Sequence, residues 1–356
     1  MIYINYTKDI IKGTEEILEK ANLKDLLKKD MKVSIKPNLV LASPAENGAT
    51  THPEVVEGII LYLRKFGIKD IEIIESSWVG DNTKRAFKVC GYEALSKKYQ
   101  VPLYDLKDDQ KVNLKGMEIF KKAYDTDFLI NVPVLKAHCQ TNLTCCLKNL
   151  KGCISDKEKR KFHTMGLHRP IALLNTVLKP DFHVIDGICG DLTFEEGGTP
   201  VERNIILAGR DPLLLDSYCA EQIGYDKDEI EYLNIAYELG VGQLYHDDVE
   251  IIQLNGDKKP LQNGEKNTLA NNTNKYLKKS LSGAIEENQA CSACYSALMY
   301  ALHQTPLINK DKIAVGQGFK GKSGRLGCGN CTADFEHYIP GCPPKAIEIR
   351  KFIESH

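Results

Sequence analysis

The sequence predicts an α/β fold in which a mainly parallel β-sheet is flanked by helices in βαβ units, followed by a small cysteine-rich C-terminal region. Over residues 2–254, apolar runs typical of strands alternate with stretches of helical period. From 255 to 289 the composition shifts to Asn, Lys, Gly and Ser, which indicates a linker or an excursion from the fold. We therefore expect an α/β domain at 1–254, a linker or excursion at 255–289, and a cysteine-rich domain at 290–356.

The larger domain is expected to contain seven strands and seven helices. The strands are predicted over 2–5 (as an edge strand), 31–40, 71–76, 127–136, 181–188, 204–212 and 249–254. The helices are predicted over 8–22, 84–99, 138–154, 170–179, 213–224 and 228–239. One more helix is predicted between its N-cap Thr51 and Gly67, which ends it. Beyond them we expect helices near 275–286, 294–302, 331–338 and 344–353, with a short strand at 313–315.

Composition excludes several classes of protein. The net charge of −1 argues against a general nucleic-acid binder. The N-terminus lacks the basic and apolar segments of a signal peptide, and no apolar run approaches the ~18 residues that a membrane span needs. We expect a cytoplasmic protein without membrane partners. In a reducing compartment, clustered cysteines are more often metal ligands than disulfides.

Polar side chains follow three of the predicted strands. They are Lys36 and Asn38, Glu75 and Ser76, and Lys136 and His138. Because ligands gather at the carboxyl ends of parallel strands, we expect these groups to line a cleft. Lys36 and Asn38 would bind an anionic substrate there, and Lys136 and His138 are candidate proton donors.

The segment after His138 adds further cations to this cleft. If it is helical, Thr144, Lys148 and Lys151 share one face. Lys148 and Asn149, together with Lys36, could then bind phosphate or carboxylate. The alternative is a solvated helix face, which is favoured for Lys151 taken alone.

Other patterns are weaker signals. His163 and His168 are five residues apart, so they do not share a helix face as an i,i+4 metal pair would. Asp186, Glu195, Glu196, Asp211 and Asp216 are the acidic candidates, with Asp211 read as a helix cap and Asp216 as a partner of the Lys136 region. The string GQGFKG (316–321) lacks the context of a dinucleotide site, and no P-loop or nucleophile motif occurs.

Five of the twelve cysteines lie in the C-terminal region, in the strings CSAC (291–294), GCGNC (327–331) and PGCPP (340–344). Cys-x-x-Cys pairs and a final Cys-Pro favour a [4Fe–4S] cluster held by Cys291, Cys294, Cys331 and Cys342, with Cys328 as a bystander or redox-active neighbour. Structural zinc on the two Cys-x-x-Cys pairs is the rival, but it leaves Cys342 unexplained. Packed free cysteines are least favoured, because these strings are rich in Gly and Pro. For the seven other cysteines, burial as small hydrophobes is the favoured interpretation, with a second metal site within 139–153 as a minority one.

Several motifs resemble the domain-of-unknown-function family 362. They are KPNLV (36–40), TTHPEVVEG (50–58), NVPVLKAH (131–138), LTCCLKNLKGCI (143–154), DGI (186–188) and LAGRDPLLLDSYCAEQIG (207–224). The ending CSAC…GNC…GCPP resembles the branch with an iron–sulfur C-terminal region. The resemblance implies a cytosolic α/β protein with one [4Fe–4S] cluster on Cys291, Cys294, Cys331 and Cys342, with Cys328 as an addition. It leaves the substrate open.

Three functions remain open from the sequence. The first is an iron–sulfur oxidoreductase that acts on a small anionic substrate and is served by a redox partner protein. The second is a non-redox enzyme in which an open cluster iron acts as a Lewis acid on a hydroxy acid. The third is an electron carrier or a scaffold for metallocofactor maturation. Whether the cysteine region faces the Lys36 and Lys136 cleft decides between an enzyme and a carrier.

Overall fold

The computed structural model describes residues 1–255, 279–305 and 311–356. Twelve strands precede residue 255: β1 (Ile2–Tyr6), β2 (Val33–Pro37), β3 (Ile71–Glu75), β4 (Leu103–Asp105), β5 (Lys111–Leu114), β6 (Met117–Phe120), β7 (Phe128–Val132), β8 (Lys136–His138), β9 (Asn142–Thr144), β10 (Phe182–Asp191), β11 (Pro200–Gly209) and β12 (Ile251–Gln253). Eight of them form one sheet in the order β12-β1-β11-β10-β7-β2-β3-β4.

Most pairings in this sheet are parallel, which confirms the predicted fold class. The exceptions are the two pairings of β11, which runs antiparallel to both β1 and β10. The expected edge strand is wrong in one respect. Strand β1 lies inside the sheet, because Ile2 pairs with Ile251 of β12 on its outer side. That pairing joins segments far apart in sequence, so no local pattern reveals it.

Helices cover both faces of the sheet. They are α1 (Ile10–Lys20), α2 (Pro53–Lys65), α3 (Thr83–Val89), α4 (Tyr92–Tyr99), α5 (Lys121–Tyr124), α6 (Cys146–Asn149), α7 (Asp156–Thr164), α8 (His168–Asn175), α9 (Pro212–Gln222) and α10 (Glu231–Glu238). Alternate residues of a strand point to opposite faces, so Ile73 packs in the core under α1–α4 while Ile74 packs in the core under α6 and α8–α10. Both faces are therefore buried, as parallel sheets require.

Two helix predictions are wrong. The expected helix 84–99 is divided into α3 and α4, because Gly91 adopts a positive φ of 82° that ends the first helix. The expected helix 138–154 begins as an antiparallel hairpin of β8 and β9. Only α6 and a 3-10 helix at Leu150–Cys153 are helical there. Asn142 begins β9 with a φ of 66°, a backbone conformation incompatible with a helix.

The cysteine-rich region forms a second, four-stranded sheet that is parallel throughout. Its strands are β13 (Ile285–Glu287), β14 (Ile313–Val315), β15 (Leu326–Cys328) and β16 (His337–Ile339), and its helices are α11 (Ser292–Gln304) and α12 (Ala346–Ser355). The predicted strand 313–315 and helices 294–302 and 344–353 are confirmed. The predicted helix 331–338 is wrong, because only a 3-10 helix forms at its start and its last two residues pair with β15 as part of β16.

Residues 256–278 of the predicted linker lie outside the described residues, as do the first four residues of the helix expected near 275–286. In the described part of that helix prediction, only 279–281 are helical. The described end of that stretch is strand β13, which belongs to the small sheet. The small region contacts the larger one through the turn between β8 and β9. Gln140 Nε2 donates to the Ala290 carbonyl at 2.9 Å, and Ser292 Oγ donates to Gln140 Oε1 at 2.7 Å. In the part of the chain that the structure describes, no helix has the length and apolar character needed to cross a membrane.

Candidate functional site

A cavity of about 270 Å³ lies where the carboxyl ends of β2 and β3 meet the cysteine-rich region. Its lining comes from three parts of the chain: the strand ends and their loops, the segment from β8 to α7, and the cysteine strings. The basic residues of the lining number six and the acidic ones three. All six residues predicted for catalysis and substrate binding line this cavity: Lys36, Asn38, Lys136, His138, Lys148 and Asn149.

Lys36 is fully buried and already paired. Its Nζ lies 3.0 Å from Glu75 Oε2 and also donates to the Pro37 carbonyl and to Asn149 Oδ1. Gly152 packs so closely that a Cβ there would lie 2.1 Å from Glu75 Oε1 and 2.6 Å from Lys36 Nζ. The Lys36–Glu75 pair therefore shapes the cavity floor, and its charges compensate each other.

Asn38 and Asn149 hold backbone and side chains in place. Asn38 Oδ1 accepts a hydrogen bond from the Val40 amide at 3.2 Å, which fixes the loop after β2. Asn149 Nδ2 donates to Asn131 Oδ1 at 2.7 Å, in a buried network that reaches His183. Both contacts position the cavity wall.

Lys136 is buried beneath the cavity. Its Nζ donates to the carbonyls of Ala49 and Glu195 at 2.7 and 2.6 Å. Burial, assisted by the nearby charge of Lys148, lowers the pKa of Lys136 to about 7. A lysine with such a pKa can exchange a proton at neutral pH.

Lys148 and Lys151 have weaker contacts. Lys148 Nζ lies 3.4 Å from Thr144 Oγ1, and Lys151 Nζ lies 3.5 Å from His163 Nε2. Burial lowers the pKa of Lys148 to about 8 and that of Lys151 well below its usual value. These two ammonium groups lack a carboxylate at ion-pair distance within the described residues. Among the lysines of the lining, these two are the best placed to receive an anion.

The hydrogen bonds of His138 determine its tautomer. Its Nδ1 accepts from the amides of Gln140 and Thr141 at 3.1 and 3.2 Å, which assigns the proton of a neutral ring to Nε2. That nitrogen lies 3.3 Å from Glu195 Oε1. His138 therefore presents an N–H donor at the cavity wall.

Glu195 and Glu196 form the acidic side of the cavity. Glu195 accepts hydrogen bonds from the amide and the thiol of Cys139, both at 2.9 Å. Glu196 accepts from Ser296 Oγ at 2.7 Å, and burial together with the charge of Glu195 raises its pKa to about 8. The sequence marked both only as acidic candidates, because the loop that carries them has no motif.

Two groups of side chains could hold a metal ion by the proximity of their ligand atoms. They are His138 with Cys139 and Glu195, and Cys145 with Cys146 and Asp216, each with its ligand atoms within 4.8 Å of one another. In the first, Nε2 of His138 carries the proton, so the three residues also satisfy one another as a hydrogen-bonded group. The second lies fully buried in the core, where Asp216 accepts from the amides of Cys146 and Leu147 at 2.7 and 3.0 Å. Asp216 thus fixes the start of α6 and does not contact Lys136 by any hydrogen bond among the described residues.

The C-terminal cysteines converge beside this cavity. Cys291, Cys294 and Cys342 line it, while Cys331 lies in the 3-10 helix Asn330–Thr332. Burial raises the pKa of the Cys294 thiol, and the neighbouring cysteines raise it further. Cys328 points into the small core and is only 1% exposed.

The spacing of these thiols distinguishes between kinds of metal centre. Zn–S bonds of ~2.3 Å in a tetrahedron place the sulfurs about 3.8 Å apart. Among the described residues, no three of the C-terminal cysteines have their sulfurs within 4.8 Å of one another. The donor set is purely thiolate and only partly buried, and this wider spacing fits a multinuclear iron–sulfur group better than a single zinc ion.

His163 and His168 are not a pair in the structure. His163 lines the cavity beside Lys151, and burial lowers its pKa well below the usual value. His168 lies on α8 near Glu231, with 3.8 Å between Nε2 and the carboxylate. The sequence analysis did not single out Trp78, Lys159 or Arg160, which also line the cavity. Their loop and helix have no motif that would mark them.

The chain is similar to a protein family and to two individual proteins. A family model described as "Domain of unknown function (DUF362)" matches residues 33–221. A thylakoid-associated protein of Synechocystis sp. is 24% identical over 225 residues, covering 59% of this chain and 68% of the relative. The structure of the lactate racemase apoprotein from Thermoanaerobacterium thermosaccharolyticum superposes with a TM-score of 0.38 at 16% identity, covering 63% of this chain and 57% of that one.

Proposed function

The chain belongs to the DUF362 family, and from that premise and the cavity we propose that it is a [4Fe–4S]-dependent oxidoreductase acting on a small anionic substrate. One observation carries the proposal: Lys148 and Lys151 line the same cavity as Cys291, Cys294 and Cys342. A carrier needs only an exposed cluster, whereas here three of the cysteines line a cavity of about 270 Å³. This arrangement supports an enzyme over a carrier or a maturation scaffold.

Cys291, Cys294, Cys331 and Cys342 would hold the cluster. When bound, it supplies one-electron transfer at the cavity wall. Lys148 and Lys151 bind the anionic end of the substrate and bring it against this wall. Lys36 and Asn149 keep the floor rigid through the Glu75 ion pair. A substrate that takes up protons together with the electrons from the cluster also needs a proton donor close by.

Lys136 and His138 are the proposed proton donors. Lys136 has a pKa of about 7, lowered by burial, so both of its protonation states are populated near neutrality. His138 offers an N–H at Nε2, and Glu195 keeps that ring oriented. Glu196, whose pKa burial raises to about 8, adds a neutral carboxylic acid to the same wall.

Metal analysis tests the cluster. Protein purified without oxygen is expected to contain about four irons per chain and to absorb near ~400 nm. Cys342→Ser should lose most of the iron, while Cys328→Ser, the matched control, should keep it. One zinc per chain, or a Cys342→Ser protein with full iron content, would refute the proposed ligand set.

Activity is tested by screening anionic metabolites against the reduced protein. A substrate should restore the absorbance near ~400 nm that reduction removes, and Lys148→Ala should slow that recovery about tenfold or more. If no anion oxidises the reduced protein, and neither Lys36→Ala nor Lys136→Ala changes the binding of any anion, the proposal fails.

We also propose a cytoplasmic location and a separate redox partner protein that exchanges electrons through the exposed edge of the cysteine region. Cys342 is exposed, which supports electron entry at that edge. The Synechocystis relative is described as thylakoid-associated, so association with a membrane surface is an outcome that fractionation of the native protein would reveal.

A further inference from the structure

We propose that the cavity binds an amphipathic oxyanion: a doubly charged head on Lys148 and Lys151, and an apolar body against a wall made by Val40, Leu41, Trp78 and Val79. The head would be a phosphate monoester. This inference rests on the proposed function and names the substrate class for the same cavity.

The apolar wall comes from two loops joined by backbone hydrogen bonding. The Trp78 amide donates to the Val40 carbonyl at 3.0 Å, which brings the loop after β3 alongside the loop after β2. Val40, Leu41, Trp78 and Val79 are all only half-buried, and all four line the cavity. Apolar side chains left half-exposed inside a cavity gain free energy when a ligand covers them.

Several contacts hold Trp78 in place. Lys107 Nζ donates to its carbonyl at 3.0 Å, as does the Asp81 amide at 3.1 Å. Its ring packs over Gly80, where an added Cβ would lie 2.1 Å from Cη2. A glycine at position 80 is therefore required for the ring to lie where it does. Such an arrangement positions a flat aromatic surface before any ligand arrives.

Among the five lysines that line the cavity, the charged end is identified by which Nζ atoms have no short contact with a protein oxygen. Lys36 and Lys136 have short contacts with protein oxygens, as described above, and Lys159 Nζ donates to Ser76 Oγ at 2.7 Å and to the Ser77 carbonyl at 2.8 Å. Lys148 and Lys151 have only contacts of 3.4 and 3.5 Å. They are three residues apart on adjoining helical turns, so their ammonium groups can receive one dianion together.

Cavity size restricts the ligand further. Small-molecule sites usually have volumes of ~300–1,000 Å³, and this cavity of about 270 Å³ lies at the lower limit. It therefore suits a small charged head joined to an apolar body of one ring or a short branched chain, and it is too small to enclose a dinucleotide.

Calorimetric titration of the full chain with its metal in place tests the proposal, using phenyl phosphate, inorganic phosphate and phenol. Phenyl phosphate should bind at least tenfold more tightly than inorganic phosphate, and phenol should not bind. The paired variant Lys148→Ala/Lys151→Ala should weaken phenyl phosphate at least tenfold, while Lys157→Ala, an exposed lysine outside the cavity, should not.

Two further variants test the apolar wall. Trp78→Ala and Gly80→Ala should abolish the preference for phenyl phosphate and leave the affinity for inorganic phosphate within about twofold. Since Trp78 is the single tryptophan of the chain, its fluorescence should change on binding in the unmodified protein. Equal affinity for the two phosphates, or an unchanged preference in both variants, overturns the proposal.

A rival role for the two lysines is neutralising the charge of the metal–thiolate centre, since Lys151 interacts with Cys291. In that case the paired lysine variant alters iron retention and leaves every anion affinity unchanged, which also overturns the proposal. The iron assay tests the proposed function and the titration tests this inference, so either proposal can fail without the other. Amphipathic binding without iron refutes the proposed function alone, and iron without a preference for phenyl phosphate refutes this inference alone.

Discussion

His52 and Asp186 form a buried ion pair away from the cavity. Asp186 Oδ2 accepts from both the amide and Nδ1 of His52, at 2.7 and 2.8 Å. Burial by itself would lower the pKa of His52, but the charge of Asp186 outweighs it and raises the pKa to about 9. The pair holds the start of α2 against β10, so it links the loop after β2 to the sheet.

This pair predicts a loss of stability in alkaline solution. The folded protein holds the His52 proton more tightly than the unfolded chain, whose histidine has a pKa of about 6.5. The stabilisation is complete below pH ~6.5 and disappears as pH rises to ~9, with a total of up to about 3 kcal/mol. Urea unfolding at several pH values measures it.

The matched control is His52→Gln, compared with the unmodified protein at each pH because Lys136, Lys148 and Glu196 also titrate in this range. Its stability relative to the unmodified protein should rise by up to about 3 kcal/mol between pH 6.5 and 9. Its decline at lower pH should persist, because burial lowers the pKa of His183 to about 3 and only the unfolded chain gains that proton. A stability difference between the two proteins that stays constant from pH 6.5 to 9 would contradict the assignment.

At the scale of elements, the segment from β8 to the 3-10 helix Leu150–Cys153 decides the site. A single helix could have placed Thr144, Lys148 and Lys151 on one face. The hairpin instead places His138 against Glu195, and the short α6 begins where Asp216 caps it. Gly152 then lets this segment approach the Lys36–Glu75 pair closely.

Gly152→Ala should therefore disrupt the cavity floor. The added methyl group would collide with Glu75 Oε1, so the ion pair must separate or the segment must shift. We expect a loss of about 2–4 kcal/mol in the free energy of unfolding and weaker anion binding. Denaturant unfolding and titration with phenyl phosphate measure the two effects.

Gly283→Ala is the control, since a Cβ there meets no atom within 4 Å. It should change stability by less than ~0.5 kcal/mol. A Gly152→Ala protein as stable as this control would show that the segment can shift with no loss in the free energy of unfolding. The close approach of Gly152 to the ion pair would then make no contribution to stability.

At the scale of the whole molecule, the cavity exists because the cysteine-rich region closes over the sheet edge of the larger domain. Gln140, Ser292 and the Glu196–Ser296 contact join the two. The charged lining that results includes Lys136, Lys148, Lys151, Glu195 and Glu196. Burial lowers the pKa of each of these lysines and raises that of Glu196.

Anion binding should therefore be accompanied by proton uptake. A bound dianion favours the charged form of each lysine and the neutral form of Glu196, so all of these pKa values rise. Since Lys148 has a pKa of about 8 in the free protein, uptake should be larger at pH 8.5 than at pH 6.5. Titration calorimetry in two buffers with different ionisation enthalpies measures the number of protons.

The paired variant Lys148→Ala/Lys151→Ala should reduce this uptake even at saturating ligand. Binding heats that do not depend on the buffer at pH 8.5 would mean that the lysines are already charged in the free cavity. That result would contradict the lowered pKa values of Lys148 and Lys151.

Local pattern determined much of this protein: the α/β class, the family resemblance, the six polar residues that meet in the cavity, and the grouping of the C-terminal cysteines. Strand-end position and residue spacing are written in the chain itself, so these features are readable. Tertiary structure alone decided which cations are already paired, because Lys36 meets Glu75 and Lys136 meets two carbonyls across long sequence separations. It also decided that β1 is internal, that the segment 136–144 is a hairpin, and that Trp78 and the lysines line the same cavity. Each of these depends on contacts between distant segments, whose free energy outweighs the local preferences on which sequence patterns rest.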